Sequence, residues 1–205
     1  MTQGVVIARK AVLMTTNTDP RAAYRTALTW AEERVRGIDP AMLDQPTPCS
    51  EYDVRALLGH LVATVVRARV IAEGGDPGTM PVVVTGVPDD GWSAELAAAI
   101  DKALAAWSDD TVLDHDVSAP WGRVPGRQAL WGYLNEALVH GWDLAVATGQ
   151  DSEADPGLVE AGLAAGRKIL PATFRGGPVP FAEVVTSAPD AGPTERLANW
   201  AGHRR

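Results

Sequence analysis

Glu136 and His140 stand four residues apart in the stretch Trp131-Gly-Tyr-Leu-Asn-Glu-Ala-Leu-Val-His-Gly-Trp-Asp143. On a helix that spacing sets a carboxylate and an imidazole one turn apart on the same face. The other positions are mostly apolar or aromatic (Trp131, Tyr133, Leu134, Ala137, Leu138, Val139 and Trp142), and a helix apolar on nearly every side is buried. A buried carboxylate beside a buried imidazole needs a partner, because an unpaired charge away from water is costly. A divalent metal ion would satisfy both. The third ligand this chemistry needs is His60, in Leu57-Leu58-Gly59-His60-Leu61, which shares a helix face with Leu57, Leu61 and Thr64 and is expected to point inward. Neighbouring bundle helices lie about 8–10 Å apart axis to axis, so the three side chains converge if the two helices are neighbours.

Each of these residues alone has an ordinary reading. A single inward histidine is more often a hydrogen-bonded core residue, and Glu-x-x-x-His arises by chance on many helices. The pair is also not the His-Glu-x-x-His motif of metalloproteases. The weight comes from the three together, since carboxylates are rarely buried without a partner. Two imidazoles and one carboxylate leave the fourth position of a tetrahedral ion open, as in catalytic zinc sites. Such an ion lowers the pKa of a bound water or thiol, or polarises a carbonyl. Zn²⁺ is the expectation, and Ni²⁺ or Fe²⁺ would accept the same ligand types.

Asp143, three residues past His140, is the candidate catalytic residue. It either orients a ligand from behind or lies exposed in the last turn, and it is the nearby general base if the ion activates water. Tyr133 and Asn135 are candidate cavity donors, with ordinary core and surface roles the commoner outcome. His115, between two aspartates, and His203, beside Arg204-Arg205, read as surface residues. Cys49 lies eleven residues before His60, roughly 16 Å along a continuous helix. It is expected outside that coordination shell, as a free, partly buried thiol at the start of the helix. No phosphate-binding loop, nucleophile elbow or dinucleotide fingerprint is present in the sequence.

The elements that must position these residues follow from hydrophobic periodicity. A first helix is predicted from Asp19-Pro20 to about Arg36, with Ala23, Ala27, Leu28, Ala31 and Val35 as its stripe. A second is predicted over residues 51–73, opened by Ser50, and a third over 92–107. The fourth, about 127–148, carries Glu136 and His140, and a fifth spans about 156–170 before a short closing helix at 194–201. Residues 81–85, 111–117 and 179–185 are possible short strands, and 120–126 a turn. Four long helices with apolar stripes predict a mainly all-α bundle, whose sites are built from facing side chains in the core.

The 205 residues suffice for one domain with a sizeable core. Residues 19–205 are assigned to that domain, and residues 1–18 are expected to be a disordered or misassigned leader that a start at Met14 would remove. The net charge of -8 argues against a nucleic acid or an anionic membrane as partner, since both attract clustered Lys and Arg. No apolar run reaches the roughly 18 residues of a membrane span. A single cysteine excludes an internal disulfide and suits a reducing cytoplasm.

Two stretches, Thr47-Pro-Cys-Ser-Glu-Tyr-Asp-Val-Arg-Ala-Leu-Leu-Gly-His60-Leu and Asn135-Glu-Ala-Leu-Val-His-Gly-Trp-Asp-Leu-Ala-Val-Ala-Thr-Gly149, resemble the actinobacterial DinB-like family. More narrowly they resemble the metal-binding domain of mycothiol-dependent maleylpyruvate isomerases and their uncharacterised relatives, and the likeness runs on to Glu195-Arg-Leu-Ala-Asn-Trp-Ala-Gly202. The resemblance implies a four-helix bundle with additional C-terminal helices, holding a divalent metal, usually zinc, at His60, Glu136 and His140. It further implies activation of a low-molecular-weight thiol such as mycothiol for transfer to, or isomerisation of, a small electrophile. Where relatives often end in Gly-Arg, this chain has Gly202-His203-Arg204, and only a short segment follows the bundle where the isomerase has a further domain. Maleylpyruvate itself is therefore not the expected substrate. The alternatives are a metal-dependent hydrolase using bound water, and a non-catalytic metal or small-molecule binder, in either monomeric or homodimeric form.

Overall fold

The structure is a computed structural model that describes residues 18–173, 175 and 182–205. Residues 1–17 of the expected leader, and part of the possible strand at 179–185, lie outside the described residues. The described chain forms α1 (Arg21–Arg36), α2 (Val54–Ala72), α3 (Trp92–Ala106), the short α4 (Asp110–Asp114), β1 (Asp116–Ala119), β2 (Gly122–Pro125), α5 (Gly126–Ala147), α6 (Pro156–Ile169) and α7 (Pro193–Ala201). Helices α1, α5, α2 and α3 pack in that cyclic order, each against the next, and close a four-helix bundle. The expected mainly α bundle with extra C-terminal helices and a small strand pair is therefore the fold.

Helix α5 is the axis of the molecule. Besides α1 and α2 it packs against α6 and α7 on its outer side. This explains why Ala129, Leu130, Trp131, Tyr133 and Val139, spread around its circumference, are all buried. A helix enclosed on every side has no need of a polar face. Of its polar residues, Glu136, His140 and Asp143 are held among apolar neighbours by those helices. In α1 the buried set is Tyr24, Ala27, Leu28, Ala31 and Val35, one turn-by-turn stripe against α5. Trp107 follows α3 and donates its indole N–H to the Ala68 carbonyl of α2 at 2.9 Å inside the core.

Several sequence expectations shift. Helix α2 starts three residues later than predicted, because Asp53, with an extended backbone, is the cap and accepts from Ala56 N at 2.8 Å. The preceding loop is folded on itself, with Thr47 Oγ1 donating to the carbonyls of Cys49 (3.0 Å) and Tyr52 (2.7 Å). Residues 111–114, the first part of the possible strand at 111–117, belong instead to α4, because Asp109 caps that helix by accepting from Thr111 N. The strand begins only at Asp116. The expected turn at 120–126 is the tip and second strand of an antiparallel hairpin, with Val117 opposite Val124. Gly122, at φ 131°, permits the tight reversal.

Residues 81–85 form no strand, having no second strand to pair with. They instead lie as a strap across α2, with Val84 N donating to the Gly59 carbonyl at 3.0 Å. Residues 182–185 likewise form no strand. Among the described residues no helix is long and apolar enough to cross a membrane.

Candidate metal centre

Each predicted ligand is placed by a different packing event. His60 sits on α2 directly after Gly59, where a Cβ atom would lie 2.2 Å from the Val84 carbonyl oxygen and 2.8 Å from Val83 Cγ1. Only glycine lets the strap come this close. The strap's Val82 carbonyl in turn accepts from His60 Nδ1 at 3.0 Å. Tyr52 stacks on the other side of the imidazole, ring centroids 5.0 Å apart. Across the bundle, Gly141 does the equivalent for α5: a Cβ there would meet Trp30 Cζ3 at 2.4 Å, so glycine lets α1 and α5 approach beside His140.

The expected convergence is present. The His60 and His140 rings meet edge to face with centroids 4.9 Å apart, and Glu136 Oε2 lies 3.3 Å from His140 Nε2. One ligand atom from each of His60, Glu136 and His140 lies within 4.8 Å of the others. The Glu136 side chain is 25% exposed and that of His140 8%, so the cluster opens to solvent on the glutamate side.

The tautomers follow from the partners. Val82 offers His60 only a carbonyl, so Nδ1 carries the proton and Nε2 keeps its lone pair. Asp143 Oδ2 lies 3.1 Å from His140 Nδ1, so the proton is again on Nδ1. A neutral His140 would then aim its Nε2 lone pair at the Glu136 carboxylate, which repels it. Only a cation relieves this: a proton on Nε2 or a metal between the two groups. The donor set, two Nε2 lone pairs and a carboxylate with outward partners fixed on both imidazoles, fits a divalent ion of zinc's class.

The electrostatics of the ion-free cluster agree. Burial, then the neighbouring His140, depress His60 to about 4. Burial acts against protonated His140 as well, but hydrogen bonds to Asp143 and Glu136 outweigh it and raise the group to about 10. Burial alone would raise the carboxyls of Glu136 and Asp143. Their imidazole partners prevail, and both are held below the usual carboxylate range.

Asp143 is fully buried, which excludes the exposed last-turn placement. The surface placement of His203 is corrected too: its Nδ1 lies 2.9 and 2.8 Å from the two oxygens of Asp143, and its side chain is only 17% exposed. The cause is the left-handed cap at Gly202, φ 101°, which ends α7 and turns the tail back over α5. That glycine was the available signal, but a fold-back to a residue sixty positions earlier has no local signature.

Cys49 stays outside the His60 cluster as expected, yet its Sγ belongs to a second group with His140, Asp143 and His203, again within 4.8 Å of one another. Burial, then the Asp143 carboxylate, push its thiol up to about 12. Asn135 does not face the cluster, since it donates to the Gly162 carbonyl of α6 at 3.0 Å. Tyr133 is buried against Trp121, ring centroids 5.3 Å apart. His115 is exposed, as expected.

Fold and cluster together define a helical bundle with a two-histidine, one-carboxylate centre at its core. The family model for the mycothiol maleylpyruvate isomerase N-terminal domain matches residues 24–145, and the chain belongs to that family. It is 30% identical over 185 residues to uncharacterised proteins from two strains of Mycobacterium tuberculosis, covering 90% of this chain and 97% of each relative. Among solved structures it is similar to a mycothiol-dependent maleylpyruvate isomerase, with TM-score 0.56 and 14% identity over 69% of this chain and 65% of that one. A histidine-to-alanine variant of an enzyme so described matches with TM-score 0.57 and 16% identity, over 75% and 67% of the two chains. The likeness to these structures is one of fold, and in the first of them it covers just under two thirds of the isomerase chain.

Proposed function

We propose that the chain is a thiol-dependent transferase or isomerase of the mycothiol type, in which a divalent ion, expected to be Zn²⁺, is held by His60, Glu136 and His140. One observation carries the reading: both imidazoles donate through Nδ1 to fixed acceptors, which leaves two Nε2 lone pairs and the Glu136 carboxylate converging on one place. When bound, such an ion lowers the pKa of a thiol ligand and turns it into a nucleophilic thiolate at neutral pH. The chain's residues do the rest. Val82 and Asp143 hold the two rings in one tautomer, Tyr52 and the strap keep His60 from turning, and the apolar walls of α1, α2 and α5 exclude bulk water. The solvent-open side at Glu136 is where a small-molecule thiol and its electrophilic acceptor enter. The family supports a mycothiol-related role, and the acceptor is a small molecule rather than a nucleic acid or a membrane.

The hydrolytic alternative requires a base with access to bound water. Asp143 is fully buried, and both of its oxygens already accept from imidazole nitrogens, so it is better suited to orient His140 than to move a proton. A fourth position closed by a protein side chain would favour a non-catalytic binder, and no fourth His, Cys, Asp or Glu joins His60, Glu136 and His140 among the described residues.

The test is metal content and thiol chemistry together. His60→Ala is expected to remove one equivalent of zinc relative to wild type, and the zinc-loaded wild type is expected to consume mycothiol with a small electrophile where the His60→Ala protein does not. Equal metal content in the two proteins overturns the site. Metal binding without any thiol-dependent turnover overturns the reaction and leaves the site standing.

A further inference from the structure

Behind His140, on the side away from Glu136, three segments far apart in sequence meet. Cys49 comes from the loop before α2, Asp143 from α5, and His203 from the tail that Gly202 turns back. Their Sγ, carboxylate oxygen and imidazole nitrogen lie, with His140, within 4.8 Å of one another. Asp143 is fully buried and the His203 side chain is 17% exposed. Cysteine, aspartate and histidine are the residue types that hold zinc.

We infer that Cys49, Asp143 and His203 form a second seat for a borderline-soft divalent ion, back to back with the first across the His140 ring. The inference does not rest on the first seat. His140 is the partition between the two, because its Nδ1 proton points at Asp143 and its Nε2 at Glu136. It can therefore serve one ion directly and the other only through Asp143.

Ligand atoms around a tetrahedral zinc stand about 3.3–3.7 Å apart, so a group spanning up to 4.8 Å has to close by about an ångström at its widest. The tail and the loop can supply that movement, since neither is part of a bundle helix. Binding replaces the proton on the Cys49 thiol, which leaves to solvent, and neutral His203 keeps its single ring proton on the nitrogen that faces away from the ion. No electron moves. The ion would pin the tail and the α2 loop to α5, to which the tail is otherwise tied here by the His203–Asp143 hydrogen bonds and the loop by packing. The competing account is that Asp143 only orients two imidazoles and Cys49 packs beside them, with no ion.

Titration of the metal-stripped full chain with Co²⁺ and Zn²⁺ separates the accounts. Wild type is expected to bind two equivalents, one of them with a thiolate-to-cobalt charge-transfer absorption in the near ultraviolet. Cys49→Ser and His203→Ala, at opposite ends of the chain, are each expected to lose that band and one equivalent. His60→Ala is expected to lose the other equivalent and keep the band. Zinc is also expected to slow modification of Cys49 by a disulfide reagent at least tenfold in wild type and in His60→Ala, a measurement that needs no cysteine variant.

Absence of the band in wild type, its persistence in His203→Ala, or modification of Cys49 at the same rate with and without zinc overturns the second seat. One equivalent with the band, retained in His60→Ala, upholds the second seat while removing the first. One equivalent without the band, lost in His60→Ala, does the reverse.

Discussion

Asp143 Oδ2 accepts from His140 Nδ1 at 3.1 Å and from His203 Nδ1 at 2.8 Å, so one fully buried carboxylate governs two imidazoles contributed by a helix and a tail. Toward His140 its effect is to fix which nitrogen is free. A carboxylate behind a ligating histidine also raises the ring's basicity, and losing such a partner typically costs about 10–100-fold in metal affinity. Asp143→Asn keeps the shape but presents a neutral amide that accepts more weakly. It is therefore expected to weaken zinc binding at the His60 site by about 10–100-fold, whereas His140→Ala abolishes it. Competition with a chromophoric chelator measures both, and unchanged affinity in Asp143→Asn would show that the carboxylate plays no part in holding the ligand.

The cluster also sets a pH dependence for the metal-stripped protein, with opposite signs on its two sides. His60 is depressed in the fold, to about 4. As pH falls from the unfolded value of about 6.5, the unfolded chain gains a proton that the folded chain refuses, and stability is lost. His140 is raised, to about 10, by Asp143 and Glu136 against the effect of burial. Its contribution is fully present below about 6.5 and is lost as pH rises through the folded value. Stability in chelator is thus expected to peak near neutral to slightly acid pH. The acid-side loss to about pH 4 amounts to something on the order of 1–3 kcal/mol, and His60→Gln is expected to remove it. Denaturant melts across the range test this, and an acid limb identical in His60→Gln would refute the assignment.

These relationships were unequally legible in the sequence. The clustering of His60, Glu136 and His140 could be read because helical spacing fixes where Glu136 and His140 lie relative to each other, and because a carboxylate–imidazole pair on the mostly apolar α5 demands a partner. The four bundle helices were legible from their stripes, and α5 from its lack of one. The strap over Gly59, the tail at Asp143 and the place of Cys49 beside it were not. Each depends on a long-range approach; for the strap and the tail the only local sign is a glycine, Gly59 and Gly202, and a glycine does not say what comes close to it. The 111–117 stretch misled for the opposite reason: weak alternation suggested a strand, but the Asp109 cap decided for a helix turn.

The close approach at Gly59 makes a prediction of its own. A methyl group there would sit 2.2 Å from a backbone carbonyl oxygen, Val84 O, and 2.8 Å from Val83 Cγ1. A backbone atom cannot swing aside as a side chain can, so the whole strap has to lift. That removes the Val82 acceptor from His60 Nδ1. Alanine is the better helix former by about 1 kcal/mol, so propensity alone predicts that Gly59→Ala stabilises. The steric argument predicts the reverse: a net loss of about 1–3 kcal/mol, with weaker metal binding through the freed His60 ring. Thermal melts with and without zinc decide the matter, and a more stable Gly59→Ala protein with unaltered zinc affinity would mean that the strap is not what holds His60.

Cys49 offers the most direct check on how closed the far side of the cluster is. Burial and the Asp143 carboxylate raise its thiol from 9.0 to about 12, and only the thiolate reacts with alkylating agents. At mildly alkaline pH the folded, metal-free protein therefore presents roughly a thousandth of the thiolate of an unperturbed cysteine. Alkylation is expected to be slower by about that factor, to recover on denaturation, and to show no plateau below pH 10. Mass spectrometry of iodoacetamide-treated protein over a pH series reads the rate directly. The two contributions are separable as well. Asp143→Asn removes the charge but not the burial, which is the larger cause, so it is expected to recover only a minor part of the lost rate. If that variant restored the full rate of a free thiol, the carboxylate rather than desolvation would control Cys49. If wild-type Cys49 already reacted as a free thiol, the loop before α2 would be open rather than packed against α5.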